Sequence, residues 1–173
     1  MRIALPAAVL AASLLVAAPQ SAFAQNAASS REQIEDVIAR FGKAIVEKDV
    51  AGFMKLFLRE DITWNVVYTD DSVGRYNAAL KDTATPLATK VQGGSPRKFI
   101  DSIARSREAK SETFSNVRID TDGEVAQVWF DYTFMTGDYR NAWGKEAWQL
   151  VRTNAGWRIA AVTWSAQENP VPR

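Results

Sequence analysis

The sequence predicts an α+β domain, on three observations. Apolar residues recur at helical spacing through the first part of the chain, and the period changes to two from Lys110 onward. Three turn signals, Asp122-Gly123, Gly137-Asp138 and Asn154-Ala155-Gly156, then divide the second part into strands. Helices followed by an antiparallel meander is the α+β order.

The elements follow in sequence. Met1-Arg2, an almost wholly apolar run over residues 3–18 and the small-x-small string Ala22-Phe23-Ala24 predict a secretory signal peptide, residues 1–24. The apolar run is short of the about 20 residues that a membrane span needs, so cleavage rather than anchoring is expected. The location expected is periplasmic or secreted, with one domain over residues 25–173 and no membrane contact after cleavage. Ser29 or Ser30 caps a helix over residues 31–48, whose stripe is Ile34, Val37, Ile38, Phe41, Ile45 and Val46. Asp49 caps a second helix, residues 50–58, and residues 61–68, "DITWNVVY", read as a strand. Residues 70–94 show little periodicity and read as a loop, either a lid over a site or plain surface. Ser95-Pro96 opens a third helix, ending near Arg107. Four strands complete the chain, at residues 111–120, 124–136, 141–152 and 157–167.

Composition excludes several chemistries. Of 173 residues, 21 are basic and 20 acidic, and loss of Arg2 with the leader balances them. A neutral domain offers no footprint for nucleic acid or anionic lipid. The chain has no cysteine and no histidine. That removes thiol nucleophiles, thiolate metal sites and the Ser-His-Asp arrangement, and leaves acid–base work to Asp, Glu, Lys or Tyr. No spacing suggests a metal site, no glycine-rich loop suggests a phosphate site, and no cofactor is expected.

Three strings, "ARFGKAIVEKDVAGFMKLFLREDITW", "TDGEVAQVWFDYTF" and "GKEAWQLVRTNAGWRIAAVTWS", resemble the nuclear transport factor 2-like superfamily, nearest to its polyketide-cyclase-like members. The resemblance implies a cone: a curved antiparallel sheet wrapped around about three N-terminal helices, with a pocket inside and a homodimer interface on the convex face. It does not extend to the ketosteroid isomerase branch, whose tyrosine, base and second donor would fall at Phe41, at Asn65 or Val66, and at Trp148.

Alternation sorts the strand containing residues 124–136 into two sets. Val125, Gln127, Trp129, Asp131, Thr133 and Met135 form one, and Ala126, Val128, Phe130, Tyr132 and Phe134 the other. The resemblance implies that the first set faces the cone interior. Phe130, Tyr132, Phe134 and Trp164 would then form the convex dimer surface. Asp131 becomes the first candidate acid–base residue, since a carboxyl in an apolar pocket has a raised pKa unless it is paired. Glu146, which shares parity with Trp148 and Leu150, is the second; a solvated strand-end charge is its alternative reading. The implied ligand pocket comprises Trp64, Trp129, Thr133, Trp148, Ala161, Thr163 and Ser165. Three functions remain open: a small-molecule-binding protein, a cofactor-independent isomerase, dehydratase or cyclase using Asp131, and a protein-interaction module with a filled core.

Overall fold

The structure, a computed structural model, describes residues 20–82 and 84–173, with side chains from Ser29 onward. Residues 1–19 of the expected signal peptide lie outside them. Helix α1 (Gln20–Glu47) starts well before the expected residue 31. It buries Ile34, Val37, Ile38, Phe41, Ala44 and Ile45, while Val46, expected in the stripe, is exposed. Lys48 takes a left-handed conformation and ends the helix. Asp49 then caps α2 (Val50–Met54) by accepting from the Gly52 N–H at 2.8 Å. This helix is shorter than predicted because Leu56–Leu58 bonds to a strand instead: Ile159 N–H donates to Leu56 O and Leu58 N–H to Ile159 O.

Strand β1 (Thr63–Tyr68) leads into the segment expected to be a loop. That expectation is corrected. Residues 70–94 contain α3 (Asp70–Ala79) and β2 (Val91–Gly93). Thr69 Oγ1 caps α3 at the Ser72 N–H, and Asp70 and Asp71 occupy its positive first turn. Helix α4 (Pro96–Arg105) follows, capped by Ser95. Strands β3 (Lys110–Thr121), β4 (Val125–Thr136), β5 (Tyr139–Thr153) and β6 (Gly156–Glu168) form the meander, each within two residues of its predicted bounds. Gly123, Gly137 and Gly156 hold positive φ at or beside its three turns. The sheet order is β2-β1-β6-β5-β4-β3, with β1 parallel to β6 and every other pair antiparallel.

The helices cover one face of this sheet, and the face assignment expected for β4 is reversed. Ala126, Val128, Phe130 and Tyr132 are buried against the helices, while Val125 is 54% exposed and Trp129 46% exposed on the outer face. The reason is energetic. Each large apolar side chain contributes about 1.5–3 kcal/mol when buried, so the uninterrupted apolar set takes the helix-covered side. On β6 the expected alternation fails midway. The register shifts where Leu150 pairs with Ile159 but Gln149 pairs with Ala161. This bulge turns Val162, Trp164 and Ala166 inward and Ala161, Thr163 and Ser165 outward. Phe130, Tyr132, Phe134 and Trp164 are therefore interior residues, not an outer dimer surface. Trp164 packs on Trp64, ring centroids 5.3 Å apart.

Gly144 lies opposite Tyr132 in the β4–β5 ladder, and the phenol crosses β5 there to donate to Ser165 O on β6 at 3.0 Å. A Cβ at Gly144 would collide with Ser165 O, which is backbone and cannot swing away. Gly144→Ala is expected to destabilise the protein by about 1–3 kcal/mol, the usual cost of overpacking, read as a lower urea midpoint. An unchanged midpoint would show that β6 yields freely at this point.

Candidate functional site

The curved sheet and the helices enclose a cavity of about 130 Å³. Phe41 on α1 and Phe99 on α4 close it from the helix side, and Trp64, Trp164 and Phe134 wall it from the sheet. Rings stack edge to face around it: Trp64 lies 5.5 Å from Phe99, and Phe99 lies 6.0 Å from Phe134. Into this apolar space project two carboxyl groups, Glu112 from β3 and Glu146 from β5, together with the Tyr132 phenol between their strands.

At the far side of the cavity stand Tyr68 and Glu168, at the ends of the parallel pair β1 and β6. The same two residues also line a second hollow of about 220 Å³, roofed by Ser72, Val73 and Tyr76 of α3 and floored by Pro86, Ala88 and Gln92. The second hollow is thus a vestibule and Tyr68 and Glu168 mark its neck. Helix α3 is tied to β6 here, with Ser72 Oγ accepting from the Glu168 N–H at 2.9 Å and Arg75 donating to Glu168 O at 2.8 Å.

Burial dominates the electrostatics. Glu146 is 4% exposed, and its Oε1 accepts from Trp148 Nε1 at 2.8 Å. Burial pushes its pKa up to about 7, against the smaller lowering effect of the Trp148 hydrogen bond. Glu112 stands on the edge strand, so its backbone side is open, but its carboxyl end is desolvated and its pKa rises well above the ordinary value. The nearby Glu146 charge adds to that rise. Tyr132 is pushed up first by burial and then by the two glutamates. Neither glutamate forms an ion pair with any described lysine or arginine. Two carboxyls so placed share protons near neutrality and titrate as a unit. No group of three or more metal-ligating side chains occurs among the described residues.

Of the residues expected in the site, Trp64 and Glu146 line the inner cavity. Trp148 lies beside it in the core, with its ring 4.8 Å from Phe41 and its N–H on Glu146. The others do not join them. Asp131 is on the outer face, where it pairs with Lys145 across the β4–β5 ladder and accepts from Asn116 Nδ2 at 2.6 Å. Lys145 and then Asn116 hold its carboxyl below the usual carboxylate range, the opposite of the shift expected for a buried acid. Thr133 shares that outer face. Ser165 sits where its Oγ accepts the Lys145 N–H at 3.0 Å in place of a ladder carbonyl. Trp129, Ala161 and Thr163 line a broad outer hollow of about 480 Å³. It is larger than the inner cavity, but it lies open on the sheet and contains no buried carboxyl.

Sequence reasoning missed Glu112, Tyr68 and Glu168, and placed Tyr132 on the wrong face. The usable signal for Glu112 was its shared parity with Phe114, an apolar residue of the same strand.

Residues 26–163 match the family model of the SnoaL-like domain. None of the curated proteins matches the chain in sequence. Among solved structures, a protein of unknown function from Mycobacterium tuberculosis is similar with a TM-score of 0.60 and 17% identity, over 85% of this chain and 77% of that one. A nuclear transport factor 2-like protein with a cystatin-like fold from Novosphingobium aromaticivorans aligns with a TM-score of 0.59 and 15% identity, over 87% and 90% of the two chains. A candidate scytalone dehydratase from the same organism aligns at 0.57 and 15%, over 87% and 98%. At these identities the likeness is one of fold.

Proposed function

The chain belongs to the SnoaL-like family, of the nuclear transport factor 2-like fold, and from that membership and its buried carboxyl pair we propose that it binds a small ring-sized molecule and exchanges a proton with it. The observation that carries this reading is Glu112 facing Glu146 in an aromatic cavity with no cation paired to either. A buried carboxyl without a partner costs stability, and such groups mark sites where a proton is held for use. Glu146, with a pKa near 7, is matched to proton transfer at neutral pH. Size limits the ligand. A cavity of about 150 Å³ holds one benzene, so this one, at about 130 Å³, takes one ring, with any substituent reaching toward the vestibule. No step requires a metal or an organic cofactor, because the pair itself supplies acid and base.

The test is proton exchange. Cyclohexanone in deuterated buffer is followed by nuclear magnetic resonance, with binding read from the fluorescence of Trp64 and Trp164. Exchange faster than the buffer background is expected, with a fall of about 10²-fold or more in Glu146→Gln. Asp131→Asn, outside the cavity, is expected to match the parent protein. Absence of both binding and exchange would defeat the reading.

In the same proposal the leader at residues 1–24 directs the protein to the periplasm or the exterior. A homodimer forms through the outer sheet face, with exposed Val117, Val125 and Trp129 as contacts in place of the four residues first expected. Sedimentation of Trp129→Arg checks this: a parent that is already monomeric would count against it.

A further inference from the structure

The charge of the wall selects the ligand. Glu112, Glu146 and Glu168 line the inner cavity, Glu168 also lines the vestibule, and no lysine or arginine lines either. The closest guanidinium, Arg75, is occupied by Asp71 and by the Glu168 carbonyl. Glu146 is 4% exposed; one of its oxygens accepts from Trp148, and the other has no donor among the described residues. Around the carboxyls stand the faces of Trp64, Trp164, Phe99 and Phe134. Aromatic faces carry negative potential and attract cations, more strongly once water is excluded.

Resting on the reading of this cavity as a ligand site, we propose that its ligand is a small organic cation, a primary or secondary ammonium on a ring-sized apolar body. Carboxylic acids of the same size are rejected. The ammonium supplies the donors and the positive charge that the glutamates lack, and the rings receive the apolar body. An anion would meet three carboxyls and no compensating group. Binding of a cation favours the ionised pair, so it displaces protons, and affinity rises as the pair ionises. The other titratable groups facing the pair are Tyr132 on β4, Tyr68 on β1 and Glu168 on β6; α1 and α4 contribute only Phe41 and Phe99.

Isothermal titration of the parent protein with benzylammonium, benzyl alcohol and benzoate tests this, at about pH 6 and about pH 8 in buffers of different ionisation heat. Benzylammonium is expected to bind about 10-fold or more tighter than benzyl alcohol, to release protons, and to tighten at the higher pH. Benzoate is expected not to bind. Glu146→Gln and Glu112→Gln should each keep benzyl alcohol binding, which reports an intact cavity, and lose the preference for the cation. Benzyl alcohol binding as tightly as benzylammonium, benzoate binding, or a preference surviving in both variants would overturn the cation assignment while leaving the cavity a ligand site. Failure of all three probes would overturn the ligand reading together with it.

Discussion

Replacing Trp148 by alanine is expected to destabilise the protein by about 3–5 kcal/mol, the range for truncating a buried aromatic residue. Trp148 is 1% exposed and among the largest fully buried side chains. Its ring lies 4.8 Å from Phe41 on α1, 5.0 Å from Phe130 on β4 and 6.1 Å from Phe114 on β3, so it joins helix and sheet at one point. Its indole N–H is also the hydrogen-bond donor to Glu146. Alanine therefore removes packing and a donor together, and leaves a carboxyl buried without either. Against a total stability of about 5–15 kcal/mol, this is enough to bring the chain near its unfolding midpoint at ambient temperature. Trp148→Phe separates the two effects. It keeps most of the volume and loses the donor, so it should cost about 1–3 kcal/mol and raise the Glu146 pKa further, since the lost bond is the one that lowers it. Urea unfolding of both variants decides the matter. Equal losses would mean that packing at this position is unimportant beside the hydrogen bond.

The same residue shows where sequence reading succeeds. Inward placement of Trp148 and Glu146 follows from parity along β5, which has no bulge between them and so transmits alternation faithfully. The element order and the three hairpin turns were legible for similar local reasons, each carried by a glycine beside an Asp or Ala. Helix α3 was legible too, in Thr69-Asp70-Asp71-Ser72, a cap followed by two acids, but the lack of a strong apolar stripe in a helix that buries only Ser72 concealed it.

Absolute orientation was not legible. Alternation divides β4 into two sets without saying which faces the helices; a whole-strand comparison of apolar content would have chosen correctly. On β3 and β6 the bulges defeat parity altogether. Glu112 and Phe114 face inward, yet beyond the shift between Ser115 and Arg118 it is Ile119 that is buried. Counting back from Ile119 by twos would put Glu112 outside. Asn116, with φ 53°, marks the break, and asparagine is among the side chains that tolerate that conformation. The paired glutamates become visible only when two strands, one of them bulged, are laid beside each other in the sheet.

Stability should fall as pH rises from about 4.5 to about 7, contrary to the common optimum between about pH 5 and 8. Glu146 carries a folded-state pKa of about 7 against an ordinary value of 4.5. Below about pH 4.5 the group is protonated in both states, and its contribution is fully present. As pH rises, the unfolded chain releases the proton first while the folded chain retains it, so unfolding becomes more favourable until the folded group also ionises. A shift of this size corresponds to about 3 kcal/mol. Glu112, raised by burial and by Glu146, acts in the same direction. Asp131 and Asp122, lowered by their hydrogen bonds, act oppositely, but only as pH falls through the acid range. The optimum therefore lies on the acid side of neutrality. Glu146→Gln has no proton to lose at this position and can still accept from Trp148. It is expected to flatten the profile and to exceed the parent in stability near pH 8, most strongly when combined with Glu112→Gln. Urea midpoints measured across this range at constant m-value provide the check. A parent profile already flat, or one that the two substitutions leave parallel, would mean that the glutamates are solvated in the folded protein and hold no proton for a ligand.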